Sequence, residues 1–156
     1  MVSTYSNRKR QQGVAHLWAL MLVLVISLGV GKLVQRMSIV NQRMREAELL
    51  YVGGLYGEAI RQYHESTPVG SNPYPERLQD LLRDPRYPVT RRYLRQLYRD
   101  PVTGEPFETI TAAEGGIRAV RSTSPRTPVK IAGFNADEQQ FMNAKTYREW
   151  EFGIAP

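Results

Sequence analysis

The chain has no cysteine among its 156 residues. That excludes disulfides, thiolate metal sites and cysteine nucleophiles. It does not fix the compartment, because a periplasmic domain can lack disulfides. Histidine is almost as scarce: only His16 and His64 are present, so a histidine or thiolate metal cluster is excluded too. There is no Gly-x-Ser-x-Gly, no phosphate-binding loop and no His-Glu-x-x-His. Glu46, Glu48, Glu58 and Glu65 lie among arginines at helical spacing. They read as a solvated, salt-bridged face rather than an acid/base pair. The expectation is a protein that is not an enzyme, with no cofactor and no metal. Proline is missing from residues 35–65, which leaves room for a long uninterrupted helix.

What the chain does have is a long apolar run. Arg8-Lys9-Arg10 and Gln11-Gln12-Gly13 precede it, and it extends over residues 14–34, broken only by His16, Ser27 and Lys32. About 20 apolar residues at ~1.5 Å rise cover a ~30 Å hydrocarbon core. The basic cluster places its own side in the cytoplasm and the rest of the chain across the membrane. A secretory signal peptide is the competing reading. It needs a shorter apolar core and a small-x-small cleavage site, and Lys32-Leu33-Val34-Gln35-Arg36 offers none. The run reads as a retained membrane helix. With it removed, about 120 residues remain, enough for one small core. The formal net charge of +6 is in part this topology signal.

The helix does not end at the membrane edge. Val40, Met44, Ala47, Val52, Leu55, Tyr56, Ala59, Ile60 and Tyr63 recur at helical spacing. Arg43, Arg45, Glu46, Glu48, Glu58, Arg61 and Gln62 fall largely off that stripe. One helix is therefore expected over residues 14–66, roughly 80 Å long at the usual rise. Thr67-Pro68 stops it. Gly53, Gly54 and Gly57 sit inside, each costing about 1 kcal/mol against alanine. They mark either a weak point or a groove where another element packs close to the backbone.

Residues 69–73 are a loop. A short helix is expected at 75–82, with Pro75 in its first turn and Leu78, Leu81 and Leu82 buried. Arg83-Asp84-Pro85 ends it. Thr90 is placed to cap a second helix over 91–98, burying Leu94, Leu97 and Tyr98. Asp100-Pro101-Val102-Thr103-Gly104 is a turn signal. Then the period changes. Residues 107–112 and 117–122 read as an antiparallel pair joined through 113–116. Residues 129–131 are a weaker strand candidate, and 135–145 a helical turn or loop. Residues 148–154 alternate, with Trp150, Phe152 and Ile154 pointing inward. The fold class is α+β: a long N-terminal helix, membrane-spanning then amphipathic, packed against short helices and a small antiparallel sheet.

A basic leader ending in glycine, followed at once by such a helix, resembles a type IV pilin or type II secretion pseudopilin precursor. Tyr74-Pro75-Glu76-Arg77-Leu78-Gln79-Asp80-Leu81-Leu82 is similar to the short helix of secretion pseudopilins. Asp100-Pro101-Val102-Thr103-Gly104-Glu105-Pro106-Phe107 resembles their Asp-Pro-x-Gly-x-Pro-aromatic turn. The resemblance implies a pilin-like fold divided into a cytoplasmic leader (1–13), a transmembrane half-helix (14–34), an amphipathic half-helix (35–66) and a globular periplasmic part (67–156). It also implies that a prepilin peptidase cuts between Gly13 and Val14 and that Val14 is N-methylated. The implied partners are that peptidase, other pseudopilins through the N-terminal helix, an inner-membrane assembly platform and membrane lipid. The implied location is a bacterial inner membrane, single-pass, with the C-terminal part periplasmic. Two positions depart from the family. Val14 stands where Phe is usual, and Trp18 where a glutamate at the fifth mature position is thought to pair with a neighbour's N-terminal amine. An unpaired carboxylate in lipid is expensive, and Trp18 cannot make that pair. This favours a minor, tip-proximal or divergent subunit over the filament body. Major secretion pseudopilins also carry a calcium site. Asn135, Asp137 and Glu138 supply oxygens, but the glycine-rich context is missing and the site is not carried over.

Arg83, Arg86, Arg91, Arg92, Arg95 and Arg99 form the one basic concentration in the part of the chain beyond the membrane, with Tyr87, Tyr93 and Tyr98 interleaved. The favoured reading is charge pairing with acidic neighbours. The minor reading is an anionic partner or DNA held through Arg91, Arg92, Arg95 and Arg99, by phosphate contacts and aromatic stacking. That would make the chain a DNA-uptake pseudopilin. A third reading is an unrelated periplasmic domain on an uncleaved signal anchor.

Overall fold

Helix α1 (Arg8–Glu65) dominates the chain. The structure, a computed structural model, describes the backbone of residues 8–155 and the side chains of 16–26 and 37–155. It contains two compact units, Met1–Asn41 and Gln42–Pro156. In the first, the large apolar side chains from Leu17 to Ile26 are all more than half exposed, Trp18 at 68%. Among the described residues no helix is long and apolar enough to cross a membrane. The span expected at 14–34 includes residues 14, 15 and 27–34, whose side chains lie outside the described set.

In the second unit α1 ends at Glu65, one residue before the expected stop. Its inward stripe is Glu46, Leu49, Gly53, Tyr56, Ile60 and Tyr63, alternating three- and four-residue steps, with Val52 and Ala59 beside it. All are buried. The alternation keeps one face of a 3.6-residue helix turned to the core. Gly53 and Gly57 let the sheet reach the helix backbone. A Cβ on Gly53 would lie 2.5 Å from the Phe152 ring, and one on Gly57 3.3 Å from the Gly153 amide nitrogen. At Gly54 a Cβ would meet nothing within 4 Å. The groove reading therefore holds for two of the three glycines, and the third faces outward.

The fold is α+β, with one three-stranded antiparallel sheet ordered β1 (Glu108–Thr111), β2 (Ile117–Arg121), β3 (Glu151–Gly153). The β1–β2 hairpin forms where expected. Gly115 and Gly116 take φ of 87° and 81° in its turn, a region open to glycine without steric cost. Val120 pairs with Thr109 on one side and Phe152 on the other, which centres the sheet on a buried valine. Trp150 and Phe152 point inward as expected, and Ile154 packs against the core half-buried. The last strand is shorter than its alternation suggests, because a 3-10 turn (Tyr147–Glu149) occupies its first half.

Three expected elements are corrected. The helix at 75–82 is a single 3-10 turn, Leu78–Leu81. The Pro75 carbonyl accepts instead from Ile117 N–H at 2.8 Å, and Asp84 N–H turns away to the Arg91 carbonyl. Residues 91–98 form no helix. Residues 129–131 form no strand, because the Val129 and Lys130 amides are spent on the Glu46 carboxylate, each at 2.7 Å. The Asp100 turn is present. Asp100 is fully buried; its carboxylate accepts from Val102 N–H, Thr103 Oγ1 and Ser122 Oγ, tying the turn to the end of β2.

Candidate functional site

Residues 83–99 carry the arginine concentration, and the fold displays them on an irregular ribbon of turns and bends, closed over 84–91 by the Asp84 N–H donating to the Arg91 carbonyl. Pro85 and Pro88 lack amide donors, which disfavours a helix at its start. Towards its C-terminal end several backbone groups are bonded to other elements. Tyr93 and Leu94 amides both donate to the Leu81 carbonyl, at 2.9 and 3.0 Å. The Tyr56 hydroxyl accepts from Tyr98 N–H at 2.9 Å and donates to the Tyr98 carbonyl at 3.0 Å. Arg99 bridges to Pro106. A helix capped at Thr90 would need the Leu94 and Tyr98 amides for its own i to i+4 bonds, and both are taken, so the helix expected at 91–98 loses to long-range pairing. Leu94 is buried as expected, but Leu97 is 39% exposed.

The six arginines divide into one and five. Arg86 is an internal anchor. Its side chain is 9% exposed and its Nη2 lies 2.8 Å from Asp84 Oδ2, a carboxylate with no exposure at all. The same guanidinium donates to the Tyr63 carbonyl at 2.8 Å, to Thr67 Oγ1 at 2.9 Å and to the Asn72 carbonyl at 3.1 Å. It also stacks 3.4 Å over the Tyr63 ring. It thus places a cation and donors on the unsatisfied carbonyl end of α1, where the helix dipole favours positive charge. Burial pushes the Asp84 carboxyl up, but hydrogen bonds from Arg86 and Tyr93 outweigh it and hold the group below the usual carboxylate range.

Arg83, Arg91, Arg92, Arg95 and Arg99 are exposed. Among the described residues none of them has a carboxylate within ion-pairing distance. Asp84 and Asp100, the acids in and at the end of the ribbon, are buried with their own partners, and exposed Glu105, next to the Gly104 that Arg99 contacts, makes no ion pair with it. Arg92 Nη2 donates to the Arg95 carbonyl at 2.8 Å, and Arg99 Nη1 to the Gly104 carbonyl at 3.1 Å. Both contacts leave the charge uncompensated. The interleaved tyrosines do not stand free for stacking. Tyr87 is bonded to the Ser66 carbonyl and lies under the Arg91 guanidinium. Tyr93 donates to Asp84 Oδ2 at 2.9 Å, and Tyr98 packs edge-on to Tyr56. The expected aromatic stacking is therefore corrected: the rings are used inward.

Gly13 and Val14, the expected cleavage and methylation positions, lie in the helical backbone of α1, which begins at Arg8 rather than at the expected residue 14; their side chains are outside the described set. Trp18 is exposed on α1 in the first unit. Asn135, Asp137 and Glu138 do not converge. Glu138 accepts from Lys130 Nζ at 2.9 Å and from Asn135 N–H. Among the described residues no group of three or more His, Asp or Glu side chains could hold a metal ion. Glu58 pairs with Arg61, as a solvated helix face should. Glu46 does not belong to that face. It is 3% exposed and accepts from Tyr147 Oη at 2.6 Å besides the two amides of residues 129 and 130. Gln42, one turn earlier, donates to the Thr127 carbonyl and to Tyr147 Oη. Burial, reinforced by Glu46, pushes the Tyr147 hydroxyl up to about 12. One signal for Glu46 was in reach: it stands three residues before Leu49, in line with the buried stripe.

Two clefts flank α1 in the second unit and share Leu50. One, of about 420 Å³, lies between Ala47 and residues 129–132. The other, of about 380 Å³, lies over Gly54 and Gly57 and reaches Phe141 and Phe152. Neither gathers a catalytic constellation. No family model matches the chain, and no curated protein or solved structure matches it either.

Proposed function

We propose that the chain is a pseudopilin-like structural subunit of a type II secretion or related type IV pilus-like assembly. It is inserted in the inner membrane as a precursor, cut between Gly13 and Val14 by a prepilin peptidase, and packed with other pseudopilins through α1. The single observation that supports this best is the division of α1 between residues 42 and 65. One face is committed to the α+β head. The other leaves Met44, Ala47, Tyr51 and Gly54 exposed, at the three- and four-residue steps that another helix packs against. A subunit that joins a helical bundle needs both faces. The basic leader and apolar run of the sequence supply its topology. The work of assembly comes from an ATPase elsewhere.

Co-expression with a prepilin peptidase, read by intact-mass spectrometry, tests this. The expected product begins at a methylated Val14. A chain that keeps its first thirteen residues in the presence of an active peptidase contradicts it.

A further inference from the structure

The five exposed arginines of residues 83–99 are charges that the pseudopilin reading does not use. Their charge is uncompensated by any described carboxylate, and no lysine occurs between residues 83 and 99. Guanidinium forks match phosphate oxygens in a bidentate way that ammonium groups do not. The ribbon that carries them is pinned at Asp84, Tyr93, Leu94 and Tyr98. Its backbone order is therefore already established before any partner arrives, which lowers the entropic cost of binding.

We infer that this ribbon binds the phosphate backbone of nucleic acid, without reading bases. Tyr93 and Tyr98 pack against the core, and the Tyr87 ring is covered by the Arg91 guanidinium, so no ring is left free to stack on unpaired bases and single strands gain nothing over duplexes. The alternatives fit less well. A membrane-surface site needs an apolar face beneath its cations. A protein interface needs buried apolar anchors. Within 83–99 the large apolar side chains exposed are Val89 and Leu97 only.

The test uses the full-length chain in non-ionic detergent and a labelled random-sequence duplex, followed by fluorescence anisotropy across a salt series. Five neutralised phosphates predict a log–log slope of about −4.5, or about 500-fold weaker binding between about 50 and about 200 mM salt. A single strand of equal length is expected to bind no more tightly and with a shallower slope, about −3.5. The triple variant Arg91→Ala/Arg92→Ala/Arg95→Ala is expected to retain its melting temperature and drop to a slope of about −1.8. The corresponding triple Arg→Lys variant keeps the charges and is expected to keep the slope. No duplex binding at low salt overturns the inference. So does an unchanged slope in the alanine variant. Polyglutamate of equal charge binding as tightly as the duplex, or anionic phospholipid in the micelle displacing the duplex, reassigns the surface and overturns it as well.

Discussion

Val52 and Tyr51 are neighbours on α1, yet one is 5% exposed and the other 68%. The same division repeats along residues 42–65. On the inward face each position answers to a particular partner: Glu46 to two amides and a tyrosine, Gly53 to Phe152, Tyr56 to Tyr98, Tyr63 to Arg86. On the outward face Met44, Ala47, Tyr51 and Gly54 meet nothing comparable. The inward face is specified by chain 42 or more residues away in sequence at Tyr98, Val129 and Phe152, and closer at Arg86. The outward face carries only its own spacing. A helix can therefore be apolar on two sides for two different reasons, and composition alone does not separate them.

The largest expected effect comes from breaking the inward face at its C-terminal end. Arg86→Met leaves Asp84 buried without its cation, at a cost of about 3–5 kcal/mol. The double variant Arg86→Met/Asp84→Leu should recover much of that loss. Denaturant unfolding of the two variants checks both numbers, and Arg91→Ala, on the exposed ribbon, is expected within about 0.5 kcal/mol of the parent.

Glu46→Gln breaks the same face at its other end. The carboxylate serves three donors through two oxygens, and an amide offers one acceptor oxygen. The expected loss is about 1.5–3 kcal/mol, with residues 127–130 gaining fast hydrogen exchange.

The glycines sharpen the comparison most cleanly, because the same substitution one residue apart should change sign. Gly53→Ala drives a methyl into the Phe152 ring and is expected to cost about 1–3 kcal/mol. Gly54→Ala enters open space and is expected to stabilise the helix by up to about 1 kcal/mol. Equal effects in thermal melts would mean the two faces are not distinct.

The remaining effects are titrations. The Asp84 carboxyl is held low in the fold, so the unfolded chain takes up the proton first as pH falls. Its contribution is complete above the ordinary carboxylate range and is lost as pH drops through the depressed value. Tyr63 and Tyr147 work in the opposite direction. Burial raises both hydroxyls to about 12, with Asp84 adding to Tyr63 against the opposing pull of Arg86, and Glu46 adding to Tyr147. The unfolded tyrosines ionise first, near the ordinary tyrosine value of 10.0, and stability should fall as pH rises from there to about 12. Melting temperature against pH at both ends reads these slopes.

The parts of the fold that depend on local chemistry were legible. Thr67-Pro68 stops α1, Gly115 and Gly116 turn the hairpin, and Asp100 with Thr103 and Gly104 makes its turn from its own side chains. The parts decided at long range were not. Leu94, Leu97 and Tyr98 have helical spacing, but Tyr56 and Leu81 claim the backbone groups that such a helix requires. Arg86 looks like its neighbours in a run of arginines; only the C-terminal carbonyls of α1 and a buried Asp84 set it apart. Glu46 looks like Glu48 until the amides of residues 129 and 130 arrive over it. At the candidate surface the sequence carried the arginines but not the fate of the tyrosines between them.

The absence of native cysteine permits a direct test of the two-faced helix. Tyr51→Cys and Val52→Cys are introduced singly, and maleimide labelling is compared between detergent-solubilised chain and membranes co-expressing the prepilin peptidase and partner subunits. The account predicts that Cys at 51 labels readily in detergent and becomes protected in the assembly, while Cys at 52 is protected in both. Equal labelling of position 51 in the two states would contradict an outward face that another helix covers.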